Sequence, residues 1–313
     1  TVFNDPVVND LVQAAYRQNL SLRQAGFRVL EARAQLGVAV GQLAPQAQEN
    51  TGSYTSNGVS LNVANREFTR DRWFGQWDYG FNLSWELDFW GRFRRAVEAS
   101  EASLDASVEQ YDDVLVTLLA DVVSNYGQYR TVEQRIAYAQ DNVCLQGKIL
   151  ELATARFRGG MTSELDVHQA QSDLSSTEAL IPQLRLLRRE ANNRLCILLG
   201  TPPENLQRRL GNGPIPAALQ GVAVGSPAEL LRRRPDVRRA ERLAAAQSAR
   251  IGVAQADLYP QLSLDGTLAY GSQEFGNLLA GNSFSGSVGP GFRWNILNYG
   301  RIINNVRGQD ASF

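Results

Sequence analysis

The chain has 313 residues, 43% hydrophobic and 20% charged, with 31 basic against 32 acidic side chains. That balance excludes the basic footprint of a nucleic-acid-binding domain, and no run of 18 apolar residues exists to make a transmembrane helix. A membrane β-barrel stays open, because alternating strands leave the average hydropathy low.

The sequence begins at Thr1 and its one methionine is Met161, so the chain reads as processed or trimmed, and any signal peptide or lipid-attachment cysteine would lie upstream of it. Asp5-Pro6 supplies an N-cap and a proline at the first helical position. Amphipathic helices follow up to Leu43, and Pro45 stops them. A strand over about 46–61 has little pattern of its own and is expected only because an internal repeat demands it. Residues 73–89 alternate throughout. Trp73, Trp77, Tyr79, Phe81, Leu83, Trp85, Leu87 and Phe89 share one parity, and Gln76, Asp78, Asn82, Ser84, Glu86 and Asp88 share the other. Period two gives one apolar and one polar face. Ordinary strands have about 5–6 residues, whereas a tilted membrane-spanning strand needs about 9–11.

A helix from about 93 to 157 contains no proline and carries an unbroken seven-residue ladder: Val108, Leu115, Val122, Tyr129, Ile136, Val143, Leu150 and Phe157. This is coiled-coil periodicity. At about 1.5 Å per residue the helix is roughly 100 Å long, too long for a compact globule of this size. Arg158-Gly159-Gly160 turns the chain, and Thr162 or Ser163 caps the next helix with Glu164 and Asp166 in its first turn. That helix carries an apolar stripe through Leu174, Leu184 and Leu195 and ends at Gly200, before Pro202-Pro203. Residues 200–226 read as an irregular linker. Ser226-Pro227 then caps a second helical run, which Pro260 stops. Strands follow over about 259–271 and 284–297, then the start of another long helix.

The second half repeats the first. Residues 22–46 and 237–261 are identical at nine of 25 positions at an offset of 215, Gly37-Val38-Ala39 and Gly252-Val253-Ala254 among them. At an offset of 209, the eight residues from Trp85 to Arg92 align with those from Trp294 to Arg301. The organisation is a first repeat over 1–199 and a second, incomplete one over 227–313. By symmetry a further helical hairpin of about 95 residues is expected beyond Phe313, so the chain reads as C-terminally truncated.

Cys144 and Cys196 lie in apolar helical stretches and read as two small buried residues, with a disulfide as the alternative. A lone histidine, His168, cannot build a His-rich metal site and reads as a helix-surface residue. Glu86 and Asp88 share a strand face and formally offer a carboxylate pair. Acidic residues on a solvated face are far commoner, and no nucleophile elbow, phosphate loop or metal spacing is present. The chain therefore reads as no enzyme, with no cofactor. Strand length, aromatic load and a count of four strands favour a membrane barrel over a soluble sandwich. Four strands cannot close a barrel, since about eight is the smallest number. The fold class is thus α+β: a long coiled-coil domain plus strands contributed to an oligomeric transmembrane β-barrel.

The chain resembles the TolC-like outer-membrane factor family, in its lipoprotein branch serving resistance-nodulation-division efflux pumps. The motifs that carry the resemblance are Asn19-Leu-Ser-Leu-Arg23, the segment from Trp85 to Arg92, Arg156 through Val167, Leu199-Gly-Thr-Pro-Pro203, Leu231 through Val237, and the segment from Trp294 to Arg301. The resemblance implies a homotrimer in the outer membrane of a Gram-negative-type bacterium. Three chains would give four strands each to a 12-stranded barrel, and the helices would continue as a periplasmic tunnel. It implies a passive exit duct for small molecules, working with a periplasmic adaptor protein and an inner-membrane pump. An exit duct for type I protein secretion is the alternative within the family, and a soluble coiled-coil scaffold lies outside it. Gln76, Asp78, Asn82, Ser84, Glu86 and Asp88 would then line the lumen, and Trp77, Tyr79, Phe81, Leu83 and Trp85 would meet lipid. Arg156, Gly159, Gly160, Ser163 and Asp166 would form the tip that docks the adaptor. The branch's N-terminal cysteine and the family's last helical hairpin, which carries its periplasmic gate, are not in this sequence.

Overall fold

A computed structural model describes residue 3 and residues 5–60, 62, 71–217 and 227–313. In chain order the helices and strands are α1 (Pro6–Gln18), α2 (Leu20–Gly41), β1 (Ala47–Gly58), β2 (Trp73–Leu87), α3 (Arg92–Arg158), α4 (Glu164–Leu199), α5 (Gln207–Leu210), α6 (Pro227–Arg233), α7 (Pro235–Ala256), β3 (Gln261–Ser272), β4 (Phe284–Arg293) and α8 (Arg301–Ala311). Two compact units result, Thr1–Arg28 with Glu109–Asp236, and Val29–Val108 with Val237–Phe313. They cut across the sequence repeats, because the strands of both repeats fall in the second unit.

The first unit is helical. Asp5 caps α1 by accepting the N–H of Val7 at 2.8 Å, as its place before a proline predicts. Asn19 divides α1 from α2. Its Oδ1 accepts the Leu22 N–H at 2.9 Å, and its Nδ2 donates to the Leu198 carbonyl at 2.9 Å. Val8, Leu11 and Ala15 of α1 pack with Leu118, Val122, Tyr126 and Tyr129 of α3, and with Leu195, Cys196 and Leu199 of α4. A smaller cluster continues with Val132, Ile136, Ala139 and Leu184. The seven-residue ladder is therefore buried from Val122 to Ile136. Phe157 is exposed, as are Leu145, Ile149 and Leu152 nearby. Cys144 is exposed and Cys196 buried, both as free thiols, which corrects the expectation of two buried residues or a disulfide. The helix around position 144 presents that face to solvent, whereas Cys196 sits under α1. Pro182 lies inside α4, whose 36 residues run through it unbroken. Between α4 and α6, residues 201–217 are irregular apart from α5; the rest of the expected linker and the cap residue Ser226 lie outside the described residues.

Gly200 ends α4 at φ +68, and its N–H bonds back to the Ile197 carbonyl at 3.1 Å. A Cβ there would lie 2.4 Å from the backbone oxygen of Gln18. Gly200→Ala therefore combines a left-handed backbone with a backbone clash. It is expected to cost on the order of 3 kcal/mol, read as a lowered melting temperature by circular dichroism. An unchanged melt would show that the Gln18 turn yields.

The second unit is built on one antiparallel sheet in the order β1-β2-β3-β4. The repeat is visible in its bonds. Trp85 Nε1 donates to the Leu43 carbonyl at 3.2 Å, and Trp294 Nε1 donates to the Leu258 carbonyl at 3.1 Å. Gly91 and Gly300 share positive φ values of 80 and 77. Inside the strands the offset changes. Ala47 pairs with Ser84 while Gln261 pairs with Arg293, so β3 enters the ladder one residue earlier than an offset of 215 predicts. In the first copy the additional residue is Gln46, whose Oε1 accepts the Glu86 N–H at 2.7 Å in place of a backbone partner. Two strand ends also differ from expectation. β2 stops at Leu87 because the Phe89 N–H turns back to the Leu87 carbonyl at 2.7 Å. β4 stops at Arg293 because the Ile296 N–H turns back to the Trp294 carbonyl at 3.1 Å.

Candidate functional site

The sheet has two chemically different faces, set by its register. Opposed residues of antiparallel strands point to the same side. Asn82 stands between Glu49 and Thr267, Ser84 between Ala47 and Asp265, and Asp78 between Ser53 and Gly271. Cross-strand bonds knit this polar face. Ser84 Oγ donates to Asp265 Oδ1 at 2.6 Å, Ser263 Oγ donates to Asp265 Oδ2 at 2.7 Å, and Thr267 Oγ1 donates to Asn82 Oδ1 at 3.2 Å. Gln76 Nε2 donates to Asp78 Oδ1 at 2.7 Å, and Glu86 pairs with Arg92 at 3.3 Å. Gln76, Asp78, Asn82, Ser84 and Glu86 thus lie on one side. Asp88, expected with them, does not. It lies beyond the end of β2 and caps α3, accepting the N–H groups of Phe93 and Arg94 at 2.9 Å each. Burial alone would raise its pKa, but the backbone N–H groups of Arg94 and Phe93 and the Arg94 guanidinium outweigh it and hold the carboxyl below its usual value.

The opposite face carries Trp77, Tyr79, Phe81, Leu83 and Trp85 of β2. Phe81 stands beside Leu268, Leu83 beside Gly266, and Trp85 beside Leu264. On β4, Phe284, Val288 and Phe292 extend the face and are 49%, 76% and 75% exposed, left open by the described residues. β1 is different. Its residues on this side are Gln48, Asn50, Gly52, Tyr54 and Ser56, with Asn50 bonded to the Tyr79 hydroxyl at 3.0 Å. No described helix is long and apolar enough to cross a membrane.

The second candidate site is the turn between α3 and α4. The Met161 N–H bonds to the Arg156 carbonyl at 2.9 Å, and the Gly160 N–H to the Phe157 carbonyl at 2.9 Å. Gly160 takes φ +70, a conformation glycine adopts without steric cost. Ser163 is the N-cap of α4. Asp166 reaches back to accept the Ser163 N–H at 3.1 Å, half of a capping box, and the hydroxyls of Thr162 and Ser163 donate to the same oxygen. The Thr162 hydroxyl first, then Ser163, hold the Asp166 carboxyl below its usual pKa. This capping is complete at neutral pH and is lost as the pH falls through that lowered value. Arg156, Gly159, Gly160, Ser163 and Asp166 are thus gathered in one exposed turn. Met161, 81% exposed, and Leu165, 72% exposed, stand beside them and were not singled out in the sequence. His168 is exposed on α4, 3.7 Å from Glu164.

The family model described as outer membrane efflux protein matches residues 11–201 and 226–313. Nodulation protein T of Rhizobium leguminosarum bv. trifolii is 34% identical over 98% of this chain and 64% of its own length. Pyoverdine export outer membrane protein OpmQ of Pseudomonas putida is 29% identical over 96% of this chain and 64% of its own. The solved structure of the outer-membrane channel OprN superimposes with a TM-score of 0.91 at 35% identity, covering 99% of this chain and 69% of that one. The chain therefore spans 64% of the length of the two curated relatives it matches here.

Proposed function

The chain belongs to the outer membrane efflux protein family, and we propose that it forms part of the outer-membrane exit duct of a tripartite efflux system, conducting small molecules passively out of the periplasm. The observation that carries this reading is the sheet: four long strands with a polar and an apolar face and, among the described residues, no partner on the outer edges of β1 and β4. In a bilayer such edges require closure by other strands. Copies of the chain, three of them in the family's pattern, would close the sheet into a barrel. Gln76, Asp78, Asn82, Ser84 and Glu86 would face the water-filled lumen, and Trp77, Tyr79, Phe81, Leu83 and Trp85 would face outer-membrane lipid. A duct of this kind performs no catalysis and binds no cofactor. A small-molecule cargo, rather than a polypeptide, is favoured by the pyoverdine-export relative.

The α3–α4 turn would be the periplasmic tip, docking an adaptor protein that connects the duct to an inner-membrane pump. Its support is the exposed, tightly capped turn, with Arg156, Gly159, Gly160, Ser163 and Asp166 as the contacted residues. A Cβ added at Gly160 would meet nothing within 4 Å, and the strain there is that of a φ of +70. Gly160→Trp in the native gene product is expected to abolish export while leaving the assembled multimer intact. Photo-crosslinkers at 160 and 163 are expected to capture the cognate adaptor. No capture in cells whose pump is active would remove the docking role and leave a plain turn.

A further inference from the structure

The helical unit holds a cavity of about 350 Å³ that neither the sheet nor the α3–α4 turn touches. Its lining is charged and polar. Arg185, Arg188, Arg189 and Asn193 come from α4, Tyr129 from α3, and Glu204 from the irregular segment after α4. Residues three, four and eight apart share one face of a helix, so α4 sets three guanidiniums and an amide side by side. The facing wall is fixed by Asn192, which is 8% exposed. Its Nδ2 donates to the Glu204 carbonyl at 2.6 Å, and its Oδ1 accepts the Leu206 N–H at 3.0 Å. The segment around Glu204 is thereby held against α4, and the cavity is preformed.

Two observations point to what fills it. The first is charge. Among the described residues none of Arg185, Arg188 and Arg189 has an ion pair or a hydrogen bond, whereas Arg92, Arg94, Arg130 and Arg209 are each paired. Like charges three and four residues apart on a helix repel, and the lining sets one carboxylate against three cations. The second is Tyr129. It is 2% exposed, and its hydroxyl has no hydrogen-bond partner among the described residues. Buried hydroxyls are nearly always bonded, so the partner of this one comes from the cavity. Burial first, then Glu133, raises the Tyr129 pKa against the pull of Arg188 and Arg130. The phenol therefore keeps its proton at neutral pH and donates. The Asn193 Oδ1 lies 3.5 Å from Asn192 Nδ2, which leaves the Asn193 amide nitrogen as a further donor. A preformed cavity with guanidinium, phenol and amide donors is the setting that an oxyanion requires.

We propose that this cavity binds a small organic anion of at least two negative charges, carried on carboxylate or phosphate groups. Arg185, Arg188 and Arg189 hold the charged groups, through paired N–H donors where the planar fork meets two oxygens. Tyr129 donates to one oxygen from the α3 side. The volume calls for more than a bare ion, since pockets for small organic ligands begin at about 300 Å³. The site lies apart from the sheet and the turn, and it stands whether or not the chain forms a duct.

The test uses the native gene product, purified in mild detergent and titrated calorimetrically at neutral pH with citrate, glycerol phosphate and uncharged glycerol. One or both anions are expected to bind, and glycerol is not. Binding by one anion alone supports the site and says whether carboxylate or phosphate is preferred. Arg185→Ala with Arg188→Ala is expected to weaken binding by about tenfold or more. Tyr129→Phe is expected to weaken it a few-fold with an unchanged melting temperature, because the hydroxyl has no internal bond to lose. Glu204→Gln is expected to tighten it by removing a like charge, a gain that a damaged fold cannot produce. Failure of the wild type to bind either anion overturns the proposal, as does full affinity in the double arginine variant. Binding that sulfate matches and that physiological salt abolishes is diffuse attraction, and it overturns the site as well. If the wild type binds neither anion while the double variant dissociates at a lower temperature, the arginines pair with another copy of the chain and the cavity is no ligand site.

Discussion

Arg130→Ala is expected to destabilise the helical unit by on the order of 3–5 kcal/mol, the scale for removing one member of a buried charged network. The Arg130 side chain is 1% exposed and uses its donors in three directions. Nη1 donates to the Gly211 carbonyl at 2.7 Å and to Glu133 at 2.8 Å, Nη2 donates to the Leu210 carbonyl at 2.6 Å, and Nε donates to the Tyr126 hydroxyl at 3.1 Å. The Tyr126 hydroxyl in turn donates to Asp5, the cap of α1, at 3.1 Å. One guanidinium thus ties α3 to the α5 turn and, through tyrosine, to the start of the chain. Alanine would leave two carbonyls and a carboxylate without their donor, and each unsatisfied buried group costs about 1–3 kcal/mol. Arg130→Lys is expected to recover only part, because an ammonium cannot reproduce a planar fork. Denaturant unfolding followed by circular dichroism reads the effect. A variant as stable as the wild type would mean that water replaces the guanidinium at every acceptor.

The sequence conceals Arg130 for a physical reason. On a coiled-coil helix an arginine beside a ladder residue, here Tyr129, has the pattern of a solvated flank, and only the packing of a segment 80 residues away turns it inward. The helices themselves were legible, because the seven-residue ladder and Gly159-Gly160 act locally. β2 was legible for the same reason, since its aromatic alternation repeats at every second residue. β1 was legible only through the repeat. As an edge strand it carries Gln48, Asn50 and Gly52 where β2 carries Leu83, Phe81 and Tyr79, so period two gives no contrast. Asp88 shows the opposite error. Alternation continues past Leu87 in the sequence, but the chain leaves the ladder there to start α3, and the carboxylate becomes a cap.

Phe81→Arg and Asn82→Arg are expected to differ sharply, although they are adjacent on one strand. β2 has 15 residues. At about 3.3 Å per residue it is roughly 50 Å long, and tilted by about 40° it rises roughly 35–40 Å, enough to cross a hydrocarbon core of about 30 Å. Phe81 lies near its middle, between Asn50 and Leu268 on the apolar face. An arginine there would put a charge toward lipid near the midplane, at a cost of about 2–4 kcal/mol. Asn82 points the other way, between Glu49 and Thr267. An arginine there would enter the polar face beside a carboxylate and keep its water. The comparison cancels strand propensity and local backbone effects, because both substitutions sit in the same ladder. Folding yield into lipid vesicles and heat resistance of the assembled protein read the difference. Equal tolerance at the two positions would mean that the faces are assigned the wrong way or that this strand does not meet lipid. Loss at 82 with tolerance at 81 would place water on the aromatic side.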